Sequence, residues 1–382
     1  MMSKTTTALA TFAALGVLAG AAQAEIRLGV SVSATGPAAF LGDPEAKTIE
    51  MLVEQLNEEG GINGEEIALT LYDDGGDPNK ARTFATRLVE DDEVVAIIGG
   101  STTGTTMSIL SVAEDEGIPF ISLAGAISII DPVREYVFKT PHTDRMACEK
   151  IFTDMQAQGI TRIGMISGTD GFGASMQAQC KEVASEHGIE ILADETYGPQ
   201  DADMTPQLTR IRNTDGVQAV LNPGFGQGPA IVTRNVAQLG FEIPLYQSHG
   251  VASDAFIELA GADAAEGLRL PGTALLIADK LAEDDAQYDV VTTYTEAYKA
   301  KYNQEVSTFG GYAHDAFALI VDAITRAGDS EDPRAIRDAL EETSGLVGTT
   351  GTYAFSPEDH LGLDLSAFRM LEIKDGDWLP VE

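Results

Sequence analysis

Short apolar runs alternate with amphipathic stretches along almost the whole chain, the pattern of parallel α/β units. Ile26 to Ser33 reads as a strand and Pro44 to Glu59 as a helix. Gly60-Gly61-Ile62-Asn63-Gly64 then breaks the chain before a strand over Glu66 to Tyr72. The spacing predicts a helix over Lys80 to Asp91, a buried strand over Val94 to Gly99, a helix over Thr106 to Gly117 and a strand over Pro119 to Leu123. A second series starts after Pro141, with helices over Asp144 to Gln158, Ala174 to Gly188, Met204 to Asn213 and Gly228 to Leu239. Its strands fall at Arg162 to Ser167, Glu190 to Glu195, Ala219 to Asn222 and Pro244 to Gln247.

The two series echo each other. Ile67 to Asp73 is followed by Asp77-Pro78-Asn79, a helix and the strand at Val94; Ile189 to Glu195 is followed by Asp201-Ala202-Asp203, a helix and the strand at Val217. The repeated order of strand, acidic loop, helix and strand predicts two similar lobes of doubly wound topology. Ligands of such sheets sit beyond the carboxyl ends of the strands, here in a cleft between the lobes.

The first residues bear on the compartment. Lys4, the apolar stretch Ala8 to Gly20 and the small-residue site Ala22-Gln23-Ala24 read as a secretory signal peptide over 1–24, too short to span a bilayer. The chain is then expected in the periplasm, without ATP or cytosolic dinucleotides. Lys and Arg number 24 against 60 Asp and Glu, a net charge of −36. That balance excludes nucleic acid and anionic membrane surfaces as partners, since both need a basic face, and suits a hydrated surface in a saline habitat. Two cysteines, Cys148 and Cys180, fall on helix-like segments and have no metal-ligand or nucleophile context; the sequence leaves a structural disulfide and two buried thiols equally open.

Glycine clusters at Gly168 to Gly173 and Gly224 to Gly228 lie at strand-to-helix turns without matching a dinucleotide or phosphate-loop pattern. Such turns bring backbone N–H groups to a cleft, where they can hold an anion. Gly100-Ser101-Thr102-Thr103-Gly104-Thr105-Thr106 is richer: helix capping accounts for one or two of its five hydroxyls, and a carboxylate site is the natural use for the rest. Five histidines (His142, His187, His249, His314 and His360) show no metal-ligand spacing, and no G-x-S-x-G elbow occurs. His249 stands out because it ends the strand Leu245 to Ser248 and precedes Gly250, at the edge of the cleft.

In its motifs the chain resembles the periplasmic solute-binding proteins of ABC importers, type I, the branched-chain amino acid-binding family. The resemblance rests on Thr35-Gly36-Pro37 with Gly42, Glu59-Gly60-Gly61-Ile62-Asn63-Gly64, Asp77-Pro78, Ala96-Ile97-Ile98-Gly99-Gly100 and Glu116-Gly117-Ile118-Pro119. It continues through Gly171-Phe172-Gly173, Gly240-Phe241, Ala265-Glu266-Gly267 and Gly311-Tyr312-Ala313-His314-Asp315, and so covers residues 25–382. It implies a non-enzymatic, monomeric receptor without cofactor, metal or membrane insertion, which closes on a small ligand and delivers it to the permease subunits. It also implies crossovers near Thr140 to His142, Pro271 to Ala274 and Thr352 to Ser356. One lobe would then be 25–141 with 275–352, the other 142–274 with 353–382, the chain returning to the second lobe as a hairpin over Leu365 to Pro380.

By the same resemblance the ligand carboxylate is held at Thr103 with Thr102 beside it, and at Ala124, Gly125 and Ala126. Phe172 and Phe225 cover its body, and Leu41 is a further expected ligand-binding residue. Where amino acid-binding members carry a glutamate for the ammonium group, this chain has His249. An ammonium group in a dry cleft needs an anionic partner, which a histidine cannot be. The expected ligand is therefore an aromatic carboxylate, of benzoate or hydroxycinnamate type. The alternative is a branched-chain amino acid whose ammonium meets another carboxylate, Glu45 or Asp254; an exported sensory ligand-binding protein or a hydrolase is the reading from a different class.

Overall fold

The computed structural model describes residues 25–381; the segment read as a signal peptide lies outside them. Five short apolar runs form the first sheet: β1 (Glu25–Val32), β2 (Glu66–Asp73), β3 (Ala96–Gly99), β4 (Phe120–Ser122) and β5 (Val137–Lys139), all parallel in the order β2-β1-β3-β4-β5. The chain then builds β6 (Arg162–Gly168), β7 (Glu190–Tyr197), β8 (Ala219–Asn222), β9 (Leu245–Gln247) and β10 (Arg269–Gly272) of a second sheet. It returns to the first lobe, adds a small ribbon of β11 (Ser344–Val347) and β12 (Thr352–Ala354), and closes with β13 (Arg369–Lys374) and β14 (Asp377–Pro380). The second sheet runs β14-β13-β10-β9-β8-β6-β7, parallel except for the antiparallel C-terminal hairpin. The chain thus passes between the two lobes three times: after β5, after β10 and between β12 and β13. No described helix is long and apolar enough to cross a membrane.

The near-continuous apolar runs follow from burial on both faces. In β3, Ile97 enters one core while Ala96 and Ile98 enter the other. In β8, Ala219 and Leu221 face one core and Val220 the opposite one. On the first sheet, helices Pro78–Glu90 and Thr103–Glu116 cover one face, and helices Ala39–Glu58 and Thr308–Ala327 the other.

Several helix starts lie upstream of the positions the pattern predicts, among them Pro78 for Lys80 and Gly171 for Ala174. Pro44 suggested a first turn, yet the helix runs Ala39–Glu58 with Pro44 inside it. Leu41 and Glu45, one turn apart, both bury, so packing of the extra turn outweighs the bond Pro44 cannot donate. The helix predicted from Thr106 starts at Thr103, because Thr102 and Thr105 form a reciprocal capping box. The open question over the cysteines is resolved by helix packing. Helices Asp144–Ala157 and Gly171–Val183 lie side by side, the Cα atoms of Cys148 and Cys180 are 5.1 Å apart, and the two form a disulfide.

Candidate functional site

The carboxyl ends of the strands in both sheets converge on one cavity of about 40 Å³. Ser101, Thr102 and Thr103 reach it after β3; Leu123, Ala124 and Gly125 after β4; Pro141 after β5. From the second lobe come Phe172 after β6, Phe225 after β8, and His249 with Gly250 after β9. Leu41, Phe309 and Tyr312 complete the wall from the two long helices of the first lobe. Of the residues singled out in the sequence, Leu41, Thr102, Thr103, Ala124, Gly125, Phe172, Phe225 and His249 are brought together here. Ala126 is not. It is fully buried one residue past the lining, where the chain turns into the short helix Ile127–Ile129.

The walls meet closely. A Cβ on Gly125 would lie 2.8 Å from His249 Nε2 and 2.9 Å from the Phe172 ring, so a side chain there would push the lobes apart. Phe172 stands edge-on to both Phe225 and His249, with centroids 6.3 and 5.3 Å away. Across the cleft, Phe40 lies 6.2 Å from Phe225.

The hydroxyl-rich loop divides its labour. Thr102 Oγ1 accepts from Thr105 N, Thr105 Oγ1 donates back to the Thr102 carbonyl, and Thr106 Oγ1 donates to the Gly100 carbonyl at 2.7 Å. These three serve the turn itself. Thr103 Oγ1 is buried without a partner, and so are Tyr312 OH and His249 Nδ1. Three polar atoms of cavity-lining residues therefore await hydrogen bonds that the protein does not supply. Burial holds the His249 imidazole down at about 3, with the nearby Lys139 charge acting in the same direction, so the ring is neutral. No Asp, Glu, Lys or Arg side chain lines the cavity.

Two charges lie just behind the walls. Glu45 is fully buried; its Oε2 is 2.5 Å from Ser101 Oγ and its Oε1 has no partner. Burial, reinforced by Asp74, raises its carboxyl to about 8 against the opposing effect of the Ser101 bond. Lys139, at the end of β5, is equally buried and donates to the His142 carbonyl at 3.2 Å. Burial lowers its amine to about 7 although Asp144 opposes the shift. Asp254, the other carboxylate considered for an ammonium group, accepts from Trp378 Nε1 at 2.9 Å and lines no part of this cavity. Among the described residues no group of His, Cys, Asp and Glu could hold a metal ion.

Sequence reasoning missed Leu123, Pro141, Gly250, Phe309 and Tyr312, and treated Ser101 only as part of its loop. The available signals were Tyr312 inside a motif of the family resemblance, Pro141 inside an expected crossover and Gly250 beside His249.

Two doubly wound lobes with strand ends facing a shared cavity describe an architecture that known proteins share. The family profile described as periplasmic binding protein matches residues 25–377. The chain belongs to that family. Among family relatives, the Leu/Ile/Val-binding protein homolog 3 of Brucella melitensis is 26% identical over 348 residues, 90% of this chain and 91% of that protein. The leucine-, isoleucine-, valine-, threonine- and alanine-binding protein of Pseudomonas aeruginosa is 26% identical over 340 residues, 88% of this chain and 87% of the other. Among solved structures, an extracellular ligand-binding receptor from Rhodopseudomonas palustris HaA2 superposes with a TM-score of 0.87 at 30% identity, covering 94% of this chain and all of that one. Binding proteins, not enzymes, make up this family, and the chain shares its fold from the first strand to the C-terminal hairpin.

Proposed function

We propose that this protein is the periplasmic solute receptor of an ABC importer, closing on a small carboxylate that carries no ammonium group, an aromatic acid of benzoate or hydroxycinnamate type. The observation that carries the reading is the set of neutral, unpartnered hydrogen-bonding atoms at Thr103, Tyr312 and His249, in a cavity without a lining carboxylate. Hydroxyls, the Gly125 backbone and a neutral imidazole suit carboxylate, carbonyl and hydroxyl oxygens. An α-ammonium group placed here would lose its hydration with no anion to replace it. Phe172 and Phe225, both without hydroxyls, suit a flat hydrocarbon body. With about 40 Å³ between the walls, a ring enters only as the lobes part, which fits hinge motion about the three connections. Delivery to permease subunits and action as a monomer are part of the same proposal.

The second reading is a branched-chain amino acid, favoured by the unpartnered Oε1 of Glu45 and by what the relatives are named for binding. A thermal-shift panel separates the two. Benzoate, 4-hydroxybenzoate, cinnamate and keto acids are set against leucine, isoleucine and valine. A ligand at about 100 times its dissociation constant stabilises by roughly 2.7 kcal/mol, readily seen as a rise in melting temperature. The expected result is a rise with aromatic acids alone, and a gain of amino acid binding in His249→Glu. A rise with leucine, isoleucine or valine alone refutes the aromatic reading.

A further inference from the structure

Ser101 reaches the cavity from the loop after β3, and its hydroxyl has two neighbours behind the wall. Ser33 N donates to Ser101 Oγ at 2.9 Å, and Glu45 Oε2 lies 2.5 Å from the same atom. A hydroxyl has one proton to donate and two lone pairs. If Glu45 is ionised, Ser101 must donate to it; one lone pair is taken by Ser33 N, and Ser101 offers the cavity only an acceptor. If Glu45 carries a proton on Oε2, the oxygen that faces Ser101, it donates to Ser101, both lone pairs are filled, and the Ser101 O–H is left for the ligand. The state of one buried carboxyl thus sets the polarity of a cavity-lining group.

We propose that Glu45 is a specificity-determining residue: held as a neutral carboxylic acid, it donates to Ser101 and turns the Ser101 hydroxyl into a donor for an acceptor oxygen of the ligand. The proposal rests on the carboxylate reading above. Geometry argues for the neutral form. Glu45 is fully buried, its second oxygen is unpartnered, and no cation pairs with it. An ionised carboxylate so placed would be an uncompensated charge, whereas a carboxylic acid leaves only one carbonyl oxygen unbonded.

The titratable groups on the elements around it do not reverse this. Asp74, after β2, is another acid and accepts from the Ser31 and Ser33 hydroxyls. On helix Thr308–Ala327, Tyr312 is a phenol, and the His314 ring contacts Asp315, which also accepts from Thr349 N and Thr350 N. Tyr294, on helix Tyr288–Tyr302, shares a hydrogen bond with Thr48. On its own helix the nearest cation, Lys47, pairs with Asp43 toward the surface. The raised position of the Glu45 carboxyl, about 8, agrees with the geometry. The result is selection against ammonium groups by the first lobe, independent of His249.

The test uses the full mature chain with benzoate and leucine as probes, titrated calorimetrically from pH 6 to 9, together with ligand-free infrared difference spectra of wild type minus Glu45→Gln. The expected spectrum shows a protonated-carboxyl C=O band at pH 7 that fades toward pH 9. Benzoate affinity of the wild type should fall about ten-fold from pH 7 to pH 9, as the carboxyl ionises and repels the ligand. In Glu45→Gln, whose amide donates at every pH, the affinity should be a few-fold weaker and flat over that range. Ser101→Ala should bind benzoate about ten-fold more weakly. It should also lose part of the pH dependence, which serves as the comparison if Glu45→Gln fails to fold. Absence of the band at pH 7, or an unaltered pH profile in the Gln variant, overturns the proposal. If wild type binds leucine and not benzoate, the carboxylate reading fails, and Glu45 is then judged by the band alone. Its loss on leucine binding overturns the neutral-acid role and its persistence upholds it.

Discussion

Replacing Thr103 by Val separates what the hydroxyl does for the ligand from what it does for the fold, because the two effects have opposite signs. Thr103 is the first residue of helix Thr103–Glu116, but the cap is made by Thr102, so Val removes no capping bond. The two side chains share a β-branched shape, and the methyl packing near Gly171 (3.5 Å from a Cβ there to Thr103 Cβ and Cγ2) is kept. In the unliganded protein Thr103 Oγ1 is buried without a partner. Such a group costs about 1–3 kcal/mol, so its removal should leave stability unchanged or raise it by about 1 kcal/mol. On the proposed reading the hydroxyl donates to the ligand carboxylate in the complex, a bond worth about 1.5–3 kcal/mol, so affinity should fall by about 12- to 150-fold. Urea unfolding of the free protein reads the first effect; calorimetric titration with the aromatic acid that gives the largest thermal shift reads the second. Unchanged affinity would move the carboxylate away from Thr103. A loss of stability above about 1 kcal/mol would mean that the hydroxyl already has a partner in the free protein, and the argument from unpartnered atoms would fail with it.

The disulfide joins residues 32 apart in sequence, and closing a loop of that length should contribute about 3–4 kcal/mol through the unfolded chain; Cys148→Ala with Cys180→Ala should lower the urea stability by that amount, and a change below about 1 kcal/mol would contradict it. His249 should make the fold acid-labile. Its folded value of about 3 lies below the ordinary 6.5, so between them the unfolded chain binds the extra proton, and stability complete above pH 6.5 is lost as pH falls toward 3. At about 1.4 kcal/mol per unit the full window amounts to about 5 kcal/mol. His249→Gln should therefore shift the acid unfolding midpoint, followed by circular dichroism, to lower pH; superimposable acid profiles would exclude a neutral buried imidazole.

The alternation of apolar runs with amphipathic segments determined the fold class and the two-lobe organisation, because a strand buried on both faces and a helix buried on one each impose their own spacing on the chain. Strand ends followed by glycine and hydroxyl residues likewise pointed to the loop of residues 100–106, to the turns of residues 168–173 and 224–228 and to His249, since the loops that bind ligands in such sheets follow directly from the strands; Gly125, Phe172 and Phe225 were singled out only by the family resemblance. What lay beyond local pattern was set by contacts between distant segments. Phe309 and Tyr312 reach the cavity from a helix some 200 residues after the Ser101 loop, and no local spacing encodes that return. Hydrogen-bond partners decided which hydroxyls are free: Thr102, Thr105 and Thr106 look the same as Thr103 in the sequence, yet the turn uses all three. The same holds for charge. Glu45 reads as one more acid on an acidic chain, and only burial beside Ser101 and Asp74, with no cation in reach, makes it a candidate for a neutral donor.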